Sequence, residues 1–138
     1  MFSLNGMTEP SQHTLILVSS HNSSIASLSP IEIRKLFLGV PIMHKGQLLK
    51  PLRNATDALM TEVFLQKIIF MSKRSYDREL LSRVYRLGGK RPEIYSENTE
   101  LIKELRDIPG ALTYMWSNDI IDNPGLKSLG VIWTGSIN

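Results

Sequence analysis

A short apolar strand, a polar loop and a helix start follow one another at Leu48–Leu52, Arg53-Asn54-Ala55-Thr56-Asp57 and Ala58–Met71. This unit constrains the chain more than any other feature. Strand, polar loop and helix N-terminus in that order are how many α/β proteins hold an anion. The helix before it is marked as clearly. Ser29 can cap, Pro30 suits the first helical position, Glu32 completes a capping box, and Ile33, Leu36 and Phe37 follow at helical spacing before Gly39 ends the helix.

The remaining elements fall into line around this unit. His13–Ser19 is a run of β-formers and reads as a buried strand. His44–Gln47 is a turn. The helix from Ala58 carries Leu59, Val63, Phe64, Ile68 and Phe70 at mostly helical spacing. A third helix spans 75–87, with Leu80, Leu81, Val84, Tyr85 and Leu87 as its apolar face and Gly88-Gly89 as its stop. Ile94-Tyr95 is a brief strand, and a fourth helix runs from 96–99 to Asp107. Pro109-Gly110 breaks it, Ala111–Trp116 is a buried strand, and Gly130–Trp133 a short final one. Strands interleaved with helices argue for an α/β fold, a mixed sheet covered on both faces as a three-layer αβα sandwich. The 138 residues make one domain over 13–138, preceded by a polar, flexible segment over 1–12.

Composition removes several functions. No cysteine is present, so disulfides, thiolate metal sites and cysteine nucleophiles are excluded. His13, His21 and His44 show no metal-ligand spacing, and no GxSxG or GxxxxGK[ST] motif occurs. The chain therefore predicts no catalytic residue, no metal and no cofactor. It has no apolar run long enough to cross a membrane and no visible leader.

Two stretches are candidate sites. In the loop, Arg53, Asn54 and Thr56 offer a cation, an amide and a hydroxyl beside free helix N–H groups, which suits an oxyanion. The alternative is that Thr56 or Asp57 simply caps the helix. The second stretch, 67–91, holds eight of the 16 lysines and arginines, among them Arg74, Arg78, Arg83 and Arg86. It reads as solvated helix faces or as a surface for an acidic partner. Without aromatic interleaving or a recognised motif, it is not read as a nucleic-acid surface.

Leu36-Phe37-Leu38-Gly39, a turn, and Leu49-Lys50-Pro51-Leu52-Arg53 resemble the stretch IFLGK…W.DG..I.PV.R of the substrate-binding proteins of phosphate-type ABC transporters. Glu62-Val63-Phe64 is similar to the family's R..FY..VLG. The run Ser82–Pro92 is similar to W.R.IFTGKG.PP, and Ile108–Met115 to NPGAIGYV. The resemblance covers about residues 13–133. It implies one lobe of a type 2 periplasmic-binding-protein fold, binding phosphate or another small oxyanion weakly at Arg53, Asn54 and Thr56, with Ser19 and Ser20 assisting. It also implies the periplasm, with a transporter or membrane-sensor protein as partner; the chain as written is equally compatible with the cytoplasm. Asp57 and Ala58 stand where the family has a glycine and a serine. The second function implied is therefore an interaction module that has kept the fold, lost the ligand and docks a partner through its basic helices.

Overall fold

Strand β1 (Ser11–Ser20) leads through a polar turn to helix α1 (Pro30–Phe37). The cap before α1 forms as its residues dictate: Ser29 Oγ accepts from the Glu32 amide at 3.1 Å, and Glu32 Oε1 accepts from the Ser29 amide at 3.0 Å. A two-residue hairpin, β2 (Met43–His44) and β3 (Gln47–Leu48), turns through Lys45 and Gly46, both at positive φ. Strand β4 (Lys50–Asn54) follows, then helix α2 (Ala58–Val63), a π-helical turn (Phe64–Ile69), helix α3 (Lys73–Leu87), strand β5 (Glu93–Tyr95), helix α4 (Asn98–Asp107), strand β6 (Ala111–Trp116), a 3₁₀ turn (Ser117–Ile120) and strand β7 (Leu126–Ile137). The computed structural model describes residues 11–137.

The five-stranded sheet has the order β5-β4-β6-β1-β7. β4 is parallel to β5 and β6, whereas β1 is antiparallel to both β6 and β7. In β1 the run Leu15–Ser19 and in β6 the run Ala111–Met115 are buried without interruption. Consecutive burial means that both faces of the central strands are covered. α4 packs on β6 and β1, while α1 and the π-turn meet the face that carries Tyr114. There the Tyr114 ring stacks on Phe64 at 3.9 Å between centroids, with Phe37 edge-on to both. Burying each such ring contributes about 1.5–3 kcal/mol.

Four expectations shift. Ser11 and Gln12, read as part of the flexible segment, open β1; Met1–Pro10 lie outside the described residues. β7 is far longer than Gly130–Trp133 because its outer residues pair through polar contacts. Thr14 and Thr134 hydroxyls lie 2.9 Å apart, and Gln12 Nε2 donates to Ser136 Oγ at 3.1 Å. The helix from Ala58 is regular for six residues and then widens into the π-turn, which ends at Phe70 with φ +61°. Phe70 consequently faces solvent instead of the core, and Leu59, in the regular part of α2, is exposed as well. In α3 only Tyr76 and Leu80 are buried; Leu81, Tyr85 and Leu87, expected on the packed face, are exposed.

Candidate functional site: the loop after β4 and the outer face of α3

β4 delivers Arg53 and Asn54 to its C-terminal end, where both side chains are consumed by the protein itself. Arg53 is 9% exposed. Its Nε donates to the Pro92 carbonyl at 2.9 Å, Nη1 lies 3.7 Å from Asp77 Oδ1, and the guanidinium sits 5.7 Å from the Tyr76 ring centroid. Asp77 is shared with Lys73 Nζ at 2.8 Å. Arg53 thus braces β4 against α3 and the turn before β5.

Asn54 is 2% exposed. Its Nδ2 donates to the Tyr114 carbonyl at 2.8 Å, and its Oδ1 accepts from the amide and the hydroxyl of Thr56 at 3.0 and 2.7 Å. The Asn54 amide donates to the Tyr114 hydroxyl at 3.1 Å. Burial pushes the Tyr114 phenol well above its ordinary range, so that hydroxyl stays protonated. The Asn54 side chain has little hydrogen-bonding capacity left for a ligand.

The helix start is filled in the same way. Asp57 is the N-cap of α2: Oδ1 accepts from the Met60 amide at 3.0 Å and Oδ2 from Trp116 Nε1 at 3.3 Å. A carboxylate therefore occupies the place that an anion would take. Burial first, and then the charges of Asp57 and Asp122, push the Asp119 carboxyl above its ordinary range. The carboxylates of Asp57, Asp119 and Asp122 at the helix start oppose an oxyanion there. Among the described residues no buried side-chain nitrogen or oxygen lacks a partner. Replacing Asp57 by Ala should lower stability by about 1–2 kcal/mol, because the cap and the Trp116 bond go together. A fall in the urea midpoint at constant m-value would register it.

Ser19 and Ser20 lie elsewhere. β1 runs antiparallel to β6, so Ser19 is level with Leu112, and Leu112 with Pro51 at the start of β4. Asn54 bonds Tyr114, farther along. The two serines therefore occupy the opposite end of the sheet from the loop. Ser19 Oγ is 2.7 Å from Ser23 Oγ, and Ser20 Oγ accepts from the Asn22 amide at 3.3 Å. The structure brings Arg53, Asn54 and Thr56 into one region and leaves Ser19 and Ser20 out of it.

The four arginines of α3 divide into two sets. Helical geometry puts residues four, seven and eleven apart on one stripe, so Arg74, Arg78, Leu81 and Tyr85 share a face. That face is opposite Tyr76 and Leu80, and all four residues are exposed, Tyr85 at 91%. Among the described residues Arg74 and Arg78 have no ion-pair partner. Arg83 and Arg86 instead turn to Glu79, at 3.1 and 3.9 Å. Leu81 and Tyr85, expected on the packed face, lie on the exposed one. The apolar set 80, 81, 84, 85 and 87 is wider than one buried stripe requires, but its width alone does not say which flank stays exposed.

Among the described residues no helix is long and apolar enough to cross a membrane, and no cluster of three or more His, Asp or Glu could hold a metal ion. No protein-family model matches the chain, and no curated protein matches it. Its fold is similar to several solved structures. An ABC-type phosphate transport receptor from Vibrio cholerae matches with a TM-score of 0.61 and 10% identity, covering 86% of this chain and 46% of that one. PstS from Borrelia burgdorferi gives 0.60 and 13%, covering 94% and 53%. The Drosophila muscle GluRIIB complex with glutamate gives 0.52 and 12%, covering 99% and 50%. The chain spans about half the length of each. At these identities the likeness is one of fold: a mixed α/β domain resembling one lobe of periplasmic-binding-protein structures.

Proposed function

We propose that the protein is a non-enzymatic binding module that has kept the lobe fold, turned its anion loop inward and docks a protein partner through the outer face of α3. The observation that carries this reading is the exposed stripe Arg74, Arg78, Leu81 and Tyr85, set against a loop whose polar groups are already paired. A helix offering apolar anchors at this spacing suits a groove on another protein. Tyr and Arg are the residues that most often dominate such contacts. The unpaired guanidiniums call for carboxylates around that groove. A transporter or membrane-sensor protein facing the periplasm is the class of partner that the sequence resemblance implies.

The test starts from a photo-crosslinker at Leu81 to identify the partner, followed by affinity measurements on the purified pair. Tyr85→Ala should weaken binding about tenfold or more, at the level of an interface hot spot. Arg78→Glu should weaken it and flatten its salt dependence. Both variants should melt within a few degrees of the wild type, since both side chains are exposed. Unchanged affinity in both would overturn the reading.

A second reading keeps a weak phosphate or other oxyanion site at Arg53, Asn54 and Thr56. The fold likeness to a phosphate transport receptor favours it. Under that reading Arg53→Ala abolishes anion binding, and Asp57→Gly, which removes the competing carboxylate, strengthens it.

A further inference from the structure

One concavity belongs neither to the anion loop nor to the outer face of α3. It lies between the start of α1, the π-turn and the middle of β7, and its volume is about 220 Å³. Leu28, Ile31, Ile68, Phe70, Val131 and Ile132 form apolar walls, with Arg34 and Lys67 as the charged groups of the lining and no acid among them. We propose that this cleft binds a small amphipathic carboxylate, with its aliphatic chain against the walls and its carboxylate at Arg34 and Lys67.

Three observations support the assignment. Arg34 is positioned in advance: its Nε donates to the Ile69 carbonyl at 3.1 Å, which fixes the guanidinium beside the π-turn. Among the described residues its terminal nitrogens and the Lys67 ammonium have no ion-pair partner, so two cations face an apolar cleft with no counter-charge. A pre-oriented guanidinium next to apolar surface suits a carboxylate that brings its own hydrocarbon.

The second observation is the wall itself. Phe70 is held at φ +61°, an uncommon conformation for a bulky residue, and it is 68% exposed at the end of a π-turn. Such turns and such backbone outliers gather at functional sites. Here the combination leaves an aromatic ring on the rim of the cleft instead of in the core. The third is size. A cavity of about 150 Å³ accommodates benzene, so about 220 Å³ suits a chain of roughly eight carbons. The proposal is independent of docking through α3, because none of Arg74, Arg78, Leu81 and Tyr85 lines the cleft.

The experiment is a calorimetric titration of the whole chain with sodium octanoate below its micelle concentration, beside 1-octanol and vesicles rich in phosphatidylglycerol. Saturable octanoate binding at one site is expected, with 1-octanol at least about tenfold weaker, the scale of a charge-assisted hydrogen bond. Arg34→Gln should weaken octanoate about tenfold. Lys67→Gln changes an exposed side chain without threatening the fold and should weaken it severalfold. Tyr85→Ala should leave it unchanged. The proposal is overturned if octanoate does not saturate, if 1-octanol binds equally well, or if neither cation variant changes the affinity. It is likewise overturned if the chain ignores octanoate and associates only with the vesicles, which would make this face a membrane surface.

Discussion

Gly110→Ala should lower stability by about 3 kcal/mol, combining backbone strain with a steric clash. Gly110 closes the turn after α4 at φ +82°. A Cβ there would run into the Leu48 carbonyl, with Gln47 Nε2 at 3.0 Å and Gln47 Cγ at 3.1 Å. The same residue's carbonyl accepts from the Lys50 amide at 2.8 Å, just where β4 and β6 begin to pair. Neither backbone can give way without breaking the parallel register that carries β4 to the loop. A fall in melting temperature of about 10 °C is expected for a domain of this size. Gly89→Ala is the control. It has φ +84° but no atom within 4 Å of the added Cβ, so only the conformational part, about 1 kcal/mol, should remain.

Asn54→Leu should have a comparable effect, about 3 kcal/mol, for an electrostatic reason. Leucine fills the same buried space but leaves the Tyr114 carbonyl and the Thr56 amide without their side-chain partner. A buried polar group left unsatisfied costs about 1–3 kcal/mol. Asn54→Asp gives a sharper version of the test. It preserves acceptors for Thr56 but turns a carboxylate oxygen toward the Tyr114 carbonyl, inside a site that is 2% exposed. Burial and repulsion would raise the pKa of the new carboxyl in the folded state. Its stabilising contribution is then present only in acid and is lost as pH rises through that raised value. The variant should be least stable at neutral pH and recover on acidification, whereas Asn54→Leu should show no such recovery. Urea unfolding at pH 4 and pH 7 separates the two.

What the sequence made legible was local. The cap before α1 rests on Ser29 and Glu32, three residues apart, and formed as read. β6 was bounded to the residue because Pro109-Gly110 ends the preceding helix and an unbroken apolar run follows. The contacts that decide the candidate site are distant. Arg53 finds Pro92 across 39 residues, and Asn54 finds Tyr114 across 60. No spacing pattern signals that a cation and an amide will be consumed by carbonyls so far along the chain.

Strand direction was equally hidden. Ser19 and Ser20 would have faced the loop had β1 run parallel to β6; the antiparallel pairing carries them to the other end. α3 shows the converse. Its outer apolar residues obey helical spacing as faithfully as buried ones, so periodicity alone could not tell that Leu81 and Tyr85 have nothing packed over them. The π-turn was hidden as well: Leu59, Val63, Phe64 and Ile68 keep helical spacing up to Ile68, and only the step to Phe70 departs from it.

Asp57, Arg53 and Asn54 are bound within the protein, so under the proposed docking function the loop should hold no phosphate. Isothermal titration of the purified chain with phosphate, at low and at moderate salt, tests it most directly. The account predicts no saturable heat and no rise in melting temperature beyond that produced by equimolar sulfate or chloride. A saturable, salt-resistant phosphate signal that disappears in Arg53→Ala would contradict it, because a ligand of the native state must stabilise that state by mass action.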